Sequence, residues 1–132
     1  MNQKAVWILI FLLFVGLVFW LVRTPGKAGR LDSFATCIKD SGALFYGTFW
    51  CPHCQNQKAM FGSSAKLLPY VECSTPDGNS QLQVCTDAGV VGYPTWKFGT
   101  STVETGEVPL SHLSELTNCP LPDGKAGLPE IQ

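Results

Sequence analysis

Hydrophobic residues fall into two regimes along the chain. Residues 5–22 run AVWILIFLLFVGLVFWLV with no charged interruption. Beyond residue 30, apolar positions come in short bursts with the spacing of helices and strands. The first run, at the helical rise, spans about 27 Å, close to the hydrocarbon thickness of a bilayer. Trp7 and Trp20 lie near its two ends, where aromatic side chains sit well at a membrane interface. A helix half-buried in a soluble core shows a polar face, and this run has none. It therefore predicts an uncleaved transmembrane anchor. The competing reading is a cleaved signal peptide, whose apolar core is usually roughly 7–15 residues. The run here is longer, and 26–28 (Gly-Lys-Ala) is a poor match to a cleavage site.

The remaining bursts predict a succession of short elements. Leu31, Phe34, Ala35 and Ile38 recur at helical spacing over 31–40, and Gly42 follows. Residues 43–49 (ALFYGTF) read as a buried strand. Residues 52–66 read as a helix with Pro52 in its first turn, where a missing N–H does no harm. A second strand covers 68–73, and 74–80 (STPDGNS) is rich in turn residues. A short helix over 81–88 ends at Gly89. Strands at 95–98 and 101–105 form a hairpin around Gly99, and a last helix covers 109–117. Residues 23–30 form a short linker, and 120–132, rich in Pro and Gly, a flexible tail. The order predicts an α/β domain over 31–119, a mixed central sheet flanked by helices, behind one N-terminal transmembrane helix.

Charge changes this picture little. The 132 residues carry a net charge of −1, with 14% of them charged, which excludes an electrostatic nucleic-acid partner. Arg23, Lys27 and Arg30 follow the anchor and suit lipid headgroups. Weighed against Lys4 and the terminal amine, they would place the domain in the cytoplasm. Six cysteines in so small a domain argue for an oxidising compartment instead, and they outweigh a margin of one charge. The expectation is a single-pass protein of the cell membrane with its domain on the extracytoplasmic side.

The chemistry centres on Trp50-Cys51-Pro52-His53-Cys54. A strand, then CxxC, then a helix places Cys51 at the helix N-terminus, where unpaired N–H groups favour thiolate over thiol. The thiolate is the attacking species in disulfide exchange. Cys54, one turn on, can attack a mixed disulfide and release the partner. His53 can donate a hydrogen bond or carry a positive charge near the Cys51 sulfur. A stabilised reduced form makes the disulfide a stronger oxidant, so the pair belongs nearer the oxidising end. Half a zinc site is the rival reading, but no second CxxC exists and a structural zinc needs four ligands. A purely structural disulfide is disfavoured because so small a loop constrains the unfolded chain little. No metal or other cofactor is expected. Gly92-Tyr93-Pro94-Thr95 opens a strand, where an X-Pro bond is permitted to be cis. A cis-Pro94 would leave the Tyr93 backbone free to pair with an extended substrate beside Cys51.

Over 31–119 the sequence resembles the thioredoxin superfamily. The carriers are Phe49-Trp50-Cys51-Pro52-His53-Cys54 and Gly92-Tyr93-Pro94-Thr95. The resemblance implies a thioredoxin fold, with Pro94 cis against the redox pair and Trp50 on the active-site rim. The Cys-Pro-His-Cys centre is similar to that of DsbA-type oxidases. The chain most resembles the thioredoxin-like domain of bacterial vitamin K epoxide reductase homologues. It shares Tyr46-Gly47, Phe49-Trp50-Cys51-Pro52-His53-Cys54, Tyr70-Val71-Glu72-Cys73, Cys85 and Tyr93-Pro94-Thr95-Trp96. In that family the domain passes oxidising equivalents between a quinone-linked membrane enzyme and secreted proteins. This sequence lacks the four-helix enzyme, which implies a separate membrane redox partner, vitamin K epoxide reductase-like or DsbB-like. One departure stands out: Phe45 occupies the place of thioredoxin's buried acid, so the proton of Cys54 needs another group or water.

The resemblance also implies a disulfide between Cys73 and Cys85, which flank the 74–80 loop; a second redox pair is the alternative there. Cys37 and Cys119 are read either as a disulfide clasping the two ends of the domain or as two buried thiols. His112 reads as a solvated surface side chain, and Trp96 and Phe98 as sheet packing. The leading functional expectation is a disulfide oxidase or isomerase for exported cysteine-containing proteins. A membrane-bound thiol reductase is the enzymatic alternative. A copper chaperone using Cys51, Cys54 and His53 is the non-enzymatic one.

Overall fold

In the computed structural model, residues 2–23, 28–99 and 101–122 are described. Parts of the expected linker (24–27) and tail (123–132) lie outside the described residues. Helix α1, Gln3–Arg23, contains the apolar run and slightly overreaches it at both ends. It is long and apolar enough to cross a membrane, and its Gln3–Leu21 stretch is buried nowhere in the protein. In lipid a helix satisfies every backbone polar group internally, so such a run needs no partner.

The rest of the described chain is a mixed α/β unit. A four-stranded sheet is built from β1 (Leu44–Gly47), β2 (Tyr70–Glu72), β3 (Thr95–Phe98) and β4 (Thr102–Thr105). The strand order is β2-β1-β3-β4. β1 runs parallel to β2, with Phe45 opposite Tyr70 and Gly47 opposite Glu72. It runs antiparallel to β3, with Phe45 opposite Trp96, and β3 and β4 form the hairpin. Helices α2 (Asp32–Asp40), α3 (Pro52–Phe61), α4 (Gln83–Asp87) and α5 (Leu110–Thr117) complete the unit.

Neighbouring residues on a strand face opposite sides, so the central strand feeds two cores. Phe45 stacks on Trp96 at 4.6 Å between ring centroids. It joins the larger core with Phe34 and Ile38 of α2, Phe61 of α3, and Leu110 and Leu113 of α5. Tyr46 joins the smaller core with Cys73, Cys85 and Val90. Two disulfides staple these layers. Cys37–Cys119 ties α2 to the chain just beyond α5, with 5.8 Å between Cα atoms. Cys73–Cys85 ties the end of β2 to α4, with 5.6 Å between Cα atoms. In the chain-entropy picture the two closures stabilise by about 4–5 and about 3 kcal/mol respectively.

Several boundaries differ from those read in the sequence, each for a local reason. The strand expected over 43–49 stops at Gly47, because the Cys51 N–H bonds the Thr48 carbonyl and closes a turn. The helix expected over 52–66 stops at Phe61. Gly62 sits at φ 55°, outside the α-helical region, and a 3-10 helix carries Gly62–Leu67 onward. The second strand begins only after Pro69, which has no N–H to give the ladder. The helix expected over 81–88 covers Gln83–Asp87, since Leu82 is extended and bonds the Cys73 carbonyl. Ser101 falls outside β4, and Pro109 is the N-cap of α5 rather than its first residue.

Candidate redox site

The site grows from the junction of β1 and α3. The chain leaves Gly47, turns through Thr48, Phe49 and Trp50, and enters the helix at Pro52. Cys51 is the N-cap, extended at φ −76° and ψ 120°. Its sulfur therefore sits at the end where the first helical N–H groups lack intrahelical partners. Pro52, at the first helical position, has no N–H to leave unpaired. Cys51 and Cys54 are free thiols, whereas the other four cysteines are paired.

The Tyr93–Pro94 peptide bond is cis. The Cys51 thiol points at the Tyr93 carbonyl, 3.8 Å away. Trp50 meets Tyr93 edge to face at 6.4 Å, and its indole N–H donates to Ser74 Oγ at 2.9 Å. Trp50 and Tyr93 line a cleft of about 180 Å³ together with Thr48, Cys73, Ser74 and the 78–81 segment. A larger hollow of about 340 Å³ lies at the other end of α3, between Arg30, Met60 and Leu121. It contains no cysteine, histidine or acid, whereas the smaller cleft is lined by Trp50 and Tyr93, the chain neighbours of Cys51 and Pro94.

Cys54 is fully enclosed. Burial pushes its thiol up to about 12; a backbone hydrogen bond from Thr48 and the charge of Lys58 pull the other way. Gly47 makes the room for it. A Cβ at Gly47 would lie 2.8 Å from the Cys54 sulfur and 3.0 Å from Cε2 of Tyr70. Behind Tyr70 lies a charged cluster. The Lys58 ammonium sits over the Tyr70 ring, 3.3 Å from its centroid. The Tyr70 hydroxyl donates to Glu72 Oε2 at 2.7 Å. The other Glu72 oxygen accepts backbone N–H groups from Phe49, Cys73 and Ser74. Burial holds Lys58 below its ordinary range, and burial with the Glu72 bond holds Tyr70 above its own.

His53 has a carboxylate partner that the sequence did not point to. Its Nδ1 lies 2.6 Å from Glu107 Oε1, and the side chain is 68% exposed. The ring is engaged with a carboxylate on the loop before α5. Asn56 donates to the same oxygen at 3.1 Å. The His53 bond, then Asn56, hold the Glu107 carboxyl below the usual range. The copper ligand set of Cys51, Cys54 and His53 is not assembled. Among the described residues no group of three or more His, Cys, Asp or Glu side chains is placed to hold a metal ion. His112 is half-exposed near Glu104 and Glu115, away from the thiols.

Sequence reasoning assigned no role to Lys58, Tyr70, Glu72, Gln57 or Glu107. Lys58 carried a signal, since it follows Cys54 by four residues and shares its helix face. Glu107 and Gln57 carried none, because their partners lie 51–54 residues away in sequence.

No protein-family model matches the chain. It is 44% identical over 90 residues to the thiol-disulfide oxidoreductase LTO1 of Arabidopsis thaliana. The match takes in 64% of this chain and 23% of that protein, so the chain spans about a quarter of the length of this curated relative.

Proposed function

We propose that the chain is a membrane-anchored thiol–disulfide oxidoreductase of thioredoxin fold, exchanging disulfides through Cys51 and Cys54. One observation carries this reading. The free Cys51 sits at a helix N-cap with its thiol on the carbonyl of a cis Tyr93–Pro94 bond, and Cys54 lies buried behind it. The likeness to an oxidoreductase, over a stretch that must include much of the domain, supports it.

Chemically, a substrate thiolate attacks the Cys51 sulfur of the Cys51–Cys54 disulfide, and Cys54 departs as thiolate. A second substrate thiolate then attacks the substrate sulfur of the mixed disulfide, and Cys51 departs. The substrate is oxidised by two electrons and the cysteine pair is reduced by two. Cys51 is the exchanging sulfur and Cys54 the resolving one. Pro52 and Pro94 shape the backbone around them, and Trp50 and Tyr93 receive the substrate segment. Residues 31–119 form the catalytic domain, Cys73–Cys85 and Cys37–Cys119 its structural bridges, and 5–22 the anchor. Substrates are exported cysteine-containing proteins, met on the extracytoplasmic side of the cell membrane. A separate quinone-linked membrane partner reoxidises the pair.

The direction is oxidase or isomerase, and the reduction potential tests it. Equilibration with glutathione should give a value more oxidising than about −200 mV; a value near about −270 mV excludes the oxidase. A Cys51→Ser chain should be inactive on scrambled ribonuclease. Unchanged activity would remove Cys51 as the nucleophile.

A further inference from the structure

Cys54 poses a problem of proton traffic that the exchange chemistry leaves open. Each turnover makes or consumes a Cys54 thiolate in a site with no exposed surface. Burial works against that anion, and Phe45, packed on Trp96 and Tyr70 in the larger core, has no proton to offer. A group near the sulfur must take the proton up and give it back. The titratable groups acting on Cys54 are Cys51 at the N-cap of α3, Lys58 on α3, Tyr70 on β2 and Tyr93 on the cis loop, with Glu72 bonded behind Tyr70.

These differ in what they can do. The Tyr70 hydroxyl is donated to Glu72 and held protonated by burial and by that bond. The Glu72 carboxylate accepts this hydroxyl and three backbone N–H groups, so its oxygens are occupied. Tyr93 is also held in its protonated form, by burial first. Lys58 is different. It shares the helix face of Cys54 one turn on, and its ammonium rests on the Tyr70 ring whose edge lines the Gly47 gap beside the sulfur. The Glu72 carboxylate acts on its charge from behind the ring, but among the described residues no carboxylate oxygen lies within salt-bridge distance of its ammonium. A desolvated lysine exchanges its proton readily.

We propose that Lys58, seated on Tyr70 beside Cys54, is the proton carrier of the buried cysteine; this rests on the redox reading above. When Cys54 leaves as thiolate, the Lys58 ammonium gives it a proton, producing thiol and neutral amine, and solvent reprotonates the amine. In the reverse direction the ammonium first releases its proton to solvent, and as Cys54 attacks the Cys51 mixed disulfide the neutral amine takes the thiol proton. The new Cys51–Cys54 bond forms, and the partner thiolate departs with the electron pair of the broken bond. Tyr70 and Glu72 are positioning residues, the ring as a platform and the carboxylate as the anchor of that ring.

The test uses the reduced full chain in detergent and 5,5′-dithiobis(2-nitrobenzoate). Cys51 attacks the reagent and releases one thionitrobenzoate. Cys54 then attacks the resulting mixed disulfide and releases a second. Lys58→Met should leave the first phase unchanged and slow the second at pH 7 on the order of 10²-fold. That second phase should then climb about tenfold per pH unit, as hydroxide replaces the amine. Lys58→Arg keeps the charge but is not deprotonated in this range, so it should be as slow as K58M. A second phase at the wild-type rate in K58M, or rescue by K58R, overturns the proposal. A wild-type chain releasing a single equivalent instead refutes the redox-pair reading itself, and the proposal with it.

Discussion

Gln57 is the polar residue buried most completely in α3, and its removal should be among the most damaging single changes outside the cysteines. The side chain has no exposed surface. Its amide N–H donates to the Val108 carbonyl at 3.0 Å, and its carbonyl accepts the Val108 N–H at 2.6 Å. It thus stands in for a strand partner at a segment that has none. Gln57→Ala strips both bonds from a backbone that stays buried, at about 1–3 kcal/mol for each orphaned group. The emptied volume adds to this, and about 3–5 kcal/mol in all is expected. Typical domains hold about 5–15 kcal/mol, so the loss is a large fraction. Gln57→Met keeps most of the volume and removes the bonds, which isolates the hydrogen-bond share. Urea titration of the oxidised chain in detergent, followed by the change in tryptophan fluorescence as the buried Trp96 is exposed, gives both numbers. A loss below about 1 kcal/mol for Q57A would refute the reasoning, because it would mean Val108 finds other partners.

Two further predictions concern the resolving cysteine. Gly47→Ala places a methyl 2.8 Å from the Cys54 sulfur and 3.0 Å from Tyr70. It should destabilise the reduced chain by about 1–3 kcal/mol in the same titration, and equal stability would show that the sulfur moves aside freely. For pH, the Cys54 thiol is raised from 9.0 to about 12 by burial. Its contribution is present in full below pH 9 and is lost as pH rises through about 12. The stability of Cys51→Ser relative to Cys51→Ser/Cys54→Ser should therefore fall between pH 8 and pH 11 in a urea series, and a flat difference would contradict it.

Much of this architecture was legible because it is written in local pattern. The spacing of Phe34, Ala35 and Ile38 marks the buried face of α2. The alternation of Phe45 and Tyr46 feeds the two cores, and the charge-free run fixes α1. Cys51 could be set at a helix start because strand, cysteine and proline follow one another in sequence. The errors came where a backbone detail overrode a pattern, as at Gly62, whose positive φ ends a helix that the apolar spacing would continue. The surroundings of the thiols were less legible. His53 is beside Cys51 in sequence, yet its ring is drawn to Glu107 by a loop brought in from the far end of the domain. Glu72 organises the turn after β1 from the neighbouring strand. The Glu72 contact depends on the parallel register between β1 and β2, which no single segment encodes.

The Cys37–Cys119 bridge has a mechanical meaning as well as a thermodynamic one. It joins the first helix after the linker to the segment just beyond the last helix, 82 residues on. A pull transmitted between the residues before Cys37 and those after Cys119 travels through two side chains and one covalent bond. Residues 38–118, with the sheet, the cis loop and both redox thiols, lie off that path. Tension applied across the two ends of this unit would therefore bypass the site where the sulfurs must keep their alignment, for as long as that bond stays oxidised.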